Sequence, residues 1–238
     1  DQGEGVAVLF GNYAGDNMNV KMAVQMAEDD DIEVKYVVAN DDVASAPKAV
    51  KEQRHGIAGG FFMWKVGGAR AAKGGSLDDV IASAKNVVSR TRSICVGLEP
   101  CVIPALGHPN FKIEDGMMEF GVGHHGEAGT KVEELKSASE IAQEMAQTIL
   151  DDFDFEEGKE VAVMLSGLGA TPVMELYVLY GEVEKVLAKA GHRVWKTYIG
   201  NYVTSLDMNG ASLTIVDLDD EIKELLSEPA APIGMKNY

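Results

Sequence analysis

The hydrophobic positions of the chain follow two patterns, one typical of buried strands and one typical of the helices that cover them. Short apolar runs bounded by glycine predict strands, as at 6–10, where Val-Ala-Val-Leu-Phe precedes Gly11. Longer stretches with apolar residues on one side, as at 18–27, predict helices. Strands and helices alternate along most of the chain, which predicts an α/β fold built in layers.

Local signals predict where these elements begin and end. Ser76 and Asp79 have the spacing of a capping box, which predicts a helix that continues to about residue 93. Thr171 is a candidate cap for a later helix with Pro172 in its first turn. The predicted strands are 6–10, 33–39, 117–122, 160–165, 194–203 and 213–218. The predicted helices are 18–27, 69–72, 76–93, 131–153, 172–190 and 221–226.

The alternation of strands and helices breaks at 97–115. This stretch holds Pro100, Pro104 and Pro109 beside several glycines. Clusters of proline and glycine mark loops and connections between domains. We therefore expect a domain boundary here, with residues 1–97 in one α/β domain and 98–238 in a second.

Composition adds a strongly acidic surface to this picture. The chain has 38 acidic residues against 21 lysines and arginines, a formal net charge of −17. Such a surface repels polyanions, so neither nucleic acid nor an anionic membrane is an expected partner. The longest apolar runs, at 5–10 and 160–165, are too short to span a bilayer.

The termini and cysteines bear on where the protein resides. Cys95 and Cys101 fit neither a CxxC nor a zinc pattern, and so few thiols favour a reducing compartment, the cytoplasm. The chain starts Asp1-Gln2-Gly3, without a signal peptide or an initiator methionine, and passes at once into a strand. We expect that the intact protein begins earlier.

A pair of histidines in a glycine-rich stretch is the first candidate for chemistry. His124 and His125 lie in 121–129, where glycine recurs at four positions after a predicted strand. Glycine permits close approach of a ligand to the backbone, and a neutral imidazole can act as a nucleophile or a metal ligand. No HxH or HExxH pattern accompanies the pair, so we expect no metal. The stretch also matches GxGxxG, so a dinucleotide site is an alternative, although the expected second strand ending in an acid is missing.

Two further segments are candidates. Gly11-Asn-Tyr-Ala-Gly-Asp16 follows the first strand, where Asp16 could accept a proton from a ligand hydroxyl or cap the next helix. The segment 166–172 has the form of a small anion-binding turn, or of a plain entry to a helix. No GxxxxGK[ST] sequence occurs, so ATP binding through a P-loop is not expected.

Four segments in this order resemble the dihydroxyacetone kinase K-subunit family, which binds the ketose substrate. The likeness extends from about residue 5 to residue 226. The segments are 11–19, similar to NYxGDxxNF; 121–129, similar to GxGxHGEPG; 165–177, similar to NGLGxTPxxELY; and 200–208, similar to GNxxTSLxM. The resemblance implies a two-domain α/β fold with mixed sheets flanked by helices, in which 1–97 is the remainder of the N-terminal domain.

The same resemblance implies the roles of individual residues. His125 would attack the ketone carbon of dihydroxyacetone or a related small ketose and form a covalent hemiaminal. Asp16 would activate the terminal hydroxyl of the sugar for phosphorylation. The residues expected to contact the substrate are Gly11, Asn12, Gly15, Gly123 and His124.

The resemblance also implies partners. This chain would carry no cofactor, because ATP with Mg²⁺, or a phosphocarrier, would be held by a separate nucleotide-binding L-type subunit. A homodimer is expected. Two alternatives remain open: a ketose-sensing paralogue that controls a transcription factor, and a generic α/β nucleotide-binding protein.

Some residues depart from the family pattern. Members commonly have lysine where Gly11 stands, which here weakens polarisation of the substrate or opens room for a longer ketose. Ala128 replaces a proline and His124 replaces an apolar residue. The glycine-rich GGGSGHEP segment of the family, with its second histidine, has no counterpart in this sequence.

Overall fold

The computed structural model describes residues 3–109, 111–153, 158–232 and 235. The strands are β1 Val6–Gly11, β2 Val34–Ala39, β3 Thr91–Glu99, β4 Met117–Phe120, β5 Lys131–Glu134, β6 Glu160–Gly167, β7 Arg193–Gly200 and β8 Asn209–Asp217. The helices are α1 Ala14–Asp29, α2 Gly60–Ala72, α3 Leu77–Ser89, α4 Ala138–Asp152, α5 Val173–Lys189 and α6 Asp220–Ser227, with a 3₁₀ helix at Lys48–Gln53.

The strands form two sheets of different size. β1 and β2 pair in parallel as a small sheet, and the other six strands form a sheet in the order β5-β4-β3-β8-β6-β7. Within the larger sheet β6 and β7 run parallel, while the remaining pairs are antiparallel. The α/β fold with mixed sheets flanked by helices is therefore confirmed.

Strand β6, which is paired on both sides, shows why the sequence folds in three layers. Val161, Val163 and Leu165 face an apolar cluster built with α4 and α5. The alternate residues Ala162 and Met164 face a second cluster built with α2, α3 and α6. Because successive side chains of a strand point to opposite faces, a continuously apolar strand requires cover on both sides.

Two capping boxes fix the starts of the helices beside this sheet. At the start of α3 the Ser76 hydroxyl accepts from the Asp79 amide and the Asp79 carboxylate accepts from the Ser76 amide, as predicted. Ser137 and Glu140 form the same arrangement at the start of α4. The predicted helix 131–153 is therefore wrong at its beginning, where 131–134 pair with β4 as a strand.

Other predicted bounds also differ from the structure. The predicted helix 76–93 ends at Ser89, and β3 follows directly as a strand paired on both sides. α1 begins at Ala14 rather than at 18, and α2 begins at Gly60, within the glycine-rich stretch. Thr171 does not cap α5, because its hydroxyl donates to the Gly210 carbonyl at 2.6 Å.

The predicted boundary between residues 97 and 98 falls inside β3. Phe62 and Val66, before that point, share an apolar cluster with Met164 and Leu225, after it. The division into two domains stays a prediction. Within the described ranges, no helix combines the length and the apolar character needed to cross a membrane.

A buried ion cluster ties the segment before α2 to the end of α4. The Asp152 carboxylate accepts two hydrogen bonds from Arg54, at 2.8 and 2.7 Å, and one from Arg92 at 2.7 Å. The Arg54 side chain is 1% exposed and that of Asp152 is 10% exposed. Burial alone would raise the pKa of Asp152, but the bonds from both guanidinium groups outweigh it and lower the pKa. The carboxylate therefore stays ionised between two cations.

We expect Asp152→Ala to lower the free energy of unfolding by about 3–5 kcal/mol, because it leaves two buried guanidinium groups without a counter-charge. Urea denaturation followed by circular dichroism would measure the change. The matched control is Asp151→Ala, an exposed neighbour on the same helix, for which we expect a change within about 0.5 kcal/mol. Equal effects of the two substitutions would contradict a stabilising role for the cluster.

Candidate active site

Three separate segments meet around the ring of Tyr13. Tyr13 lies at the N-terminal end of α1, directly after β1. Its ring centre is 4.6 Å from that of His125, in an edge arrangement at 73°. It is 4.8 Å from the ring centre of His55, in a stacked arrangement at 20°. The structure thus places Tyr13, from the 11–16 segment, against His125 and adds a third segment through His55.

His125 is held by a single carboxylate within its own turn. The backbone amide of His125 donates to Glu127 Oε2 at 2.9 Å, and its imidazole Nδ1 lies 3.1 Å from Glu127 Oε1. Burial alone would raise the pKa of Glu127, but hydrogen bonds to the carboxylate, including those from His125, lower it below its usual range. Glu127 is therefore an ionised acceptor.

Gly123 leaves the space that this carboxylate occupies. A Cβ atom at position 123 would lie 2.2 Å from Glu127 Oε2, a distance that forces the carboxylate to move. The Gly123 amide also donates to the Glu127 carbonyl at 2.9 Å and closes the turn. Gly123 therefore supports His125 through Glu127, and its predicted contact with a substrate stays a prediction.

The contact with Glu127 determines which nitrogen of His125 is available. A carboxylate only accepts hydrogen bonds, so in the neutral ring Nδ1 carries the proton and Nε2 carries the free electron pair. The His125 side chain is 65% exposed. A neutral imidazole with an accessible Nε2 can attack an electrophilic carbon.

His124 has the opposite character. Its Nε2 is buried and has no hydrogen-bond partner in the described part of the chain. Burial, with a smaller contribution from His125, lowers the pKa of His124 to about 4, so the ring is neutral at pH 7. Its backbone carbonyl accepts a hydrogen bond from the Ser205 hydroxyl. Of the two histidines, His125 is the one that presents a nitrogen to an approaching molecule.

Asp16 lies in the first turn of α1, three residues after Tyr13. Tyr13 is the N-cap of this helix and its ring contacts His125, so Asp16 lies at the same end of α1 as that contact. The carboxylate is exposed, and the N-cap of α1 is Tyr13. The alternative role of Asp16 as the helix cap is therefore wrong. Gly15, beside it, is also exposed, with open space where a side chain would begin.

Gly11 and Asn12 join the end of β1 to the segment before α2. The Asn12 side-chain amide donates to the carbonyls of Arg54 at 2.7 Å and Glu52 at 3.1 Å, and its oxygen accepts from Asn17 at 2.8 Å. A Cβ at Gly11 would lie 3.1 Å from the Gly56 carbonyl oxygen. Both amide protons of Asn12 are therefore engaged within the protein, and contacts of Asn12 or Gly11 with a substrate stay predictions.

The hydroxyl of Tyr13 is buried near the carboxyl groups of Glu127 and Asp42. Its oxygen is buried and has no hydrogen-bond partner among the described residues. Burial and then the charges of Glu127 and Asp42 raise the pKa of Tyr13 above its usual value, so the hydroxyl stays protonated. Burial also raises the pKa of Asp42 to about 7. Tyr13 therefore acts at this site through its ring and not as an anion.

Three contributors to the site were missed by the sequence patterns. Glu127 carried a signal, because an acid two residues after a histidine in a tight turn can reach the imidazole. Tyr13 lay inside a candidate segment, but nothing in the sequence indicates that its ring contacts the rings of His55 and His125. His55 gave no signal, because its contact with Tyr13 joins residues far apart in the chain.

The competing sites find no support in the geometry. The GxGxxG match lies between the antiparallel strands β4 and β5, so no helix follows to receive a pyrophosphate. The dinucleotide alternative is wrong for this reason. The 166–172 segment is a plain entry to α5, tied to β8 by Thr171. The described residues contain no group of three or more potential metal ligands.

Known proteins resemble this chain along most of its length. The family model of the Dak1 domain matches residues 1–233. The dihydroxyacetone-binding subunit DhaK of PTS-dependent dihydroxyacetone kinase 1 from Listeria innocua is 40% identical over 221 residues, which cover 93% of this chain and 67% of that protein. The D-erythrulose kinase of Mycolicibacterium smegmatis is 38% identical over 226 residues, 95% of this chain and 39% of the longer relative.

Solved structures resemble this chain in fold as well as in sequence. The dihydroxyacetone kinase operon co-activator DhaQ superposes with a TM-score of 0.90 at 29% identity, covering 96% of this chain and 71% of its own. The dihydroxyacetone kinase of C. freundii superposes with a TM-score of 0.86 at 28% identity, covering 94% and 40%. A match of family model and fold along nearly the whole described chain shows that this protein belongs to the Dak1 domain family.

Proposed function

We propose that this chain binds dihydroxyacetone or a related small ketose as a covalent hemiaminal on His125. The observation that carries the proposal is the contact of His125 Nδ1 with Glu127, which leaves Nε2 unprotonated on an exposed ring. Relatives named as dihydroxyacetone-binding subunits and as erythrulose kinases support small ketoses as the ligand class.

The addition balances with the groups at the site. The electron pair of Nε2 forms a bond to the carbonyl carbon, and the C=O π pair moves to the oxygen, which takes a proton from water. The imidazole passes its Nδ1 proton to Glu127, and Glu127 returns that proton to the hydroxide left from the water. The net change is transfer of the Nδ1 proton to the former ketone oxygen, so the adduct is neutral and both the water and the carboxylate are regenerated. Only a carbonyl compound can form this bond, which selects ketoses against polyols such as glycerol.

The proposal includes a second step, phosphoryl transfer to the bound ketose. Asp16 accepts the proton of the terminal sugar hydroxyl as that oxygen attacks phosphorus. The phosphoryl donor, ATP with Mg²⁺ or a phosphocarrier, comes with a separate nucleotide-binding subunit. The covalent bond positions the ketose and thereby supplies much of the rate enhancement. The chain acts as a homodimer in this proposal.

A second candidate function is control of gene expression. The solved structure of an operon co-activator superposes with a higher TM-score than that of a kinase, 0.90 against 0.86. A ketose sensor would keep His125 and Glu127 but would not need Asp16. Production of a ketose phosphate with a donor subunit present would exclude a pure sensor.

We expect dihydroxyacetone labelled with carbon-13 at the carbonyl to form one adduct, at His125. In protein with nitrogen-15-labelled histidines, the labelled carbon should move from the ketone to the saturated region of the spectrum. It should also show a one-bond coupling to nitrogen, because an N–C bond has formed. His125→Ala should abolish the coupled signal.

His108→Ala is the matched control, because His108 is an exposed histidine of another loop. The coupled signal should persist in this variant, and glycerol should give none. A coupled signal that survives in His125→Ala would remove His125 from its proposed role.

We expect Asp16→Asn to keep the hemiaminal but to slow phosphoryl transfer by roughly 10²–10⁴-fold, since it removes a general base. The measurement is the rate of ketose phosphate formation with a saturating donor subunit, beside the carbon-13 assay. Asp29→Asn, at the far exposed end of the same helix, serves as the control and should react at the wild-type rate. An undiminished rate in Asp16→Asn would show that another group accepts the proton.

A further inference from the structure

A histidine from a distant segment, His55, is joined to the proposed nucleophile through Tyr13 and has no part in the chemistry above. His55 precedes α2, and its side chain is half-buried. Its backbone is fixed on both sides, because the Asp42 amide donates to the His55 carbonyl at 3.1 Å and the His55 amide donates to the Ser45 hydroxyl at 2.9 Å. These bonds do not use the imidazole, so the ring is available for a different contact.

The segment that carries His55 rests firmly on the small sheet. Asn12, at the end of β1, holds the Arg54 carbonyl through its side-chain amide. Gly56 is packed so closely that an added Cβ would lie 2.3 Å from the Ala39 carbonyl oxygen. The position of His55 is therefore set by the fold, since its backbone cannot shift without disturbing both β1 and β2.

One tyrosine ring links this fixed histidine to the exposed one. The Tyr13 ring is stacked on His55 at 4.8 Å and meets His125 in an edge contact at 4.6 Å. Stacked and edge arrangements are both attractive geometries for aromatic pairs. The Tyr13 hydroxyl has no hydrogen-bond partner among the residues described, so packing of the ring, and not its polar end, holds Tyr13 in place.

His125 has reason to need such a support. Its imidazole is largely exposed, and the turn that carries it runs through Gly123 and Gly126. The hydrogen bond to Glu127 fixes one corner of the ring, at Nδ1. A single bond still permits the ring to tilt, and a tilt of the ring moves Nε2 away from the line of attack. A contact with a second ring restricts that motion.

We propose that the Tyr13–His55 stack positions His125, holding Nε2 in the orientation that addition to a ketose requires. This inference rests on the proposed function, because the orientation matters to the reaction only if Nε2 forms the bond. Tyr13 and His55 are positioning residues in this arrangement. Neither is required to touch the ketose.

The decisive variant is His55→Leu, which removes the stacked ring and leaves the backbone bonds of residue 55 intact. We expect the rate constant of hemiaminal formation with carbonyl-labelled dihydroxyacetone to fall about three- to tenfold, the loss of one aromatic contact. His55→Phe keeps a ring for the stack and should restore the rate. His108→Leu, an exposed histidine elsewhere, should leave the rate at its wild-type value.

A second readout needs no ketose. The ring of Tyr13 shifts the carbon-bound proton resonances of the His125 imidazole in the ligand-free protein. In His55→Leu these resonances should move towards those of a free histidine, and in His55→Phe they should stay near the wild-type positions. This measurement reports the placement of His125 whether or not it reacts.

The outcomes separate the two proposals. Unchanged resonances and an unchanged rate in His55→Leu would overturn the positioning role. An equal loss of rate in His55→Leu and His55→Phe, with wild-type resonances, would also overturn it, because the imidazole itself would then be needed. If the wild-type protein forms no adduct, the proposed function fails, and the resonances still decide whether the stack holds His125.

Discussion

Two hydrogen bonds to one carboxylate give His125 its chemical character. Glu127 accepts from the backbone amide of His125 and from its Nδ1, so the same group fixes both the turn and the tautomer. The arrangement exists only because position 123 has no side chain. Without that carboxylate, His125 would be an exposed imidazole in which either nitrogen could carry the proton.

The scaffold delivers the site from the ends of strands in two different sheets. β1 of the small sheet leads into Tyr13 and Asp16, and β4 of the larger sheet leads into the turn of His125. A buried carboxylate, Asp41, fixes the entry to α2 by accepting from the amides of Ile57 and Gly59. Stability therefore comes from the apolar layers and buried polar ties, whereas the chemistry lies in the connections that they hold.

The fold alone does not separate a kinase subunit from a sensor. Both a kinase and an operon co-activator superpose on this chain over most of its length, as expected when one fold supports several functions. The distinction depends on individual groups and not on the fold. Asp16, exposed in the first turn of α1 and not used as its cap, is the group that the proposed phosphoryl transfer uses and that a ketose sensor would not need.

The sequence by itself determined the features that depend on residues close together in the chain. The apolar run of β6, the capping box at Ser76 and the glycine-flanked histidine pair were all predictable, because periodicity, caps and turns are local properties. The four family-like segments identified His125 and Asp16 as candidates for the same reason. The sequence patterns failed for β3 and β5, whose residues become strands through pairing with distant partners.

Only the tertiary structure decided how the candidates act. It showed that Nε2 of His124 is buried and the His125 ring exposed, that the Asn12 amide is engaged within the protein, and that His55 stacks on Tyr13. Each of these facts joins segments separated by many residues. Such contacts depend on how whole layers pack against one another, and no local pattern of residues records that packing.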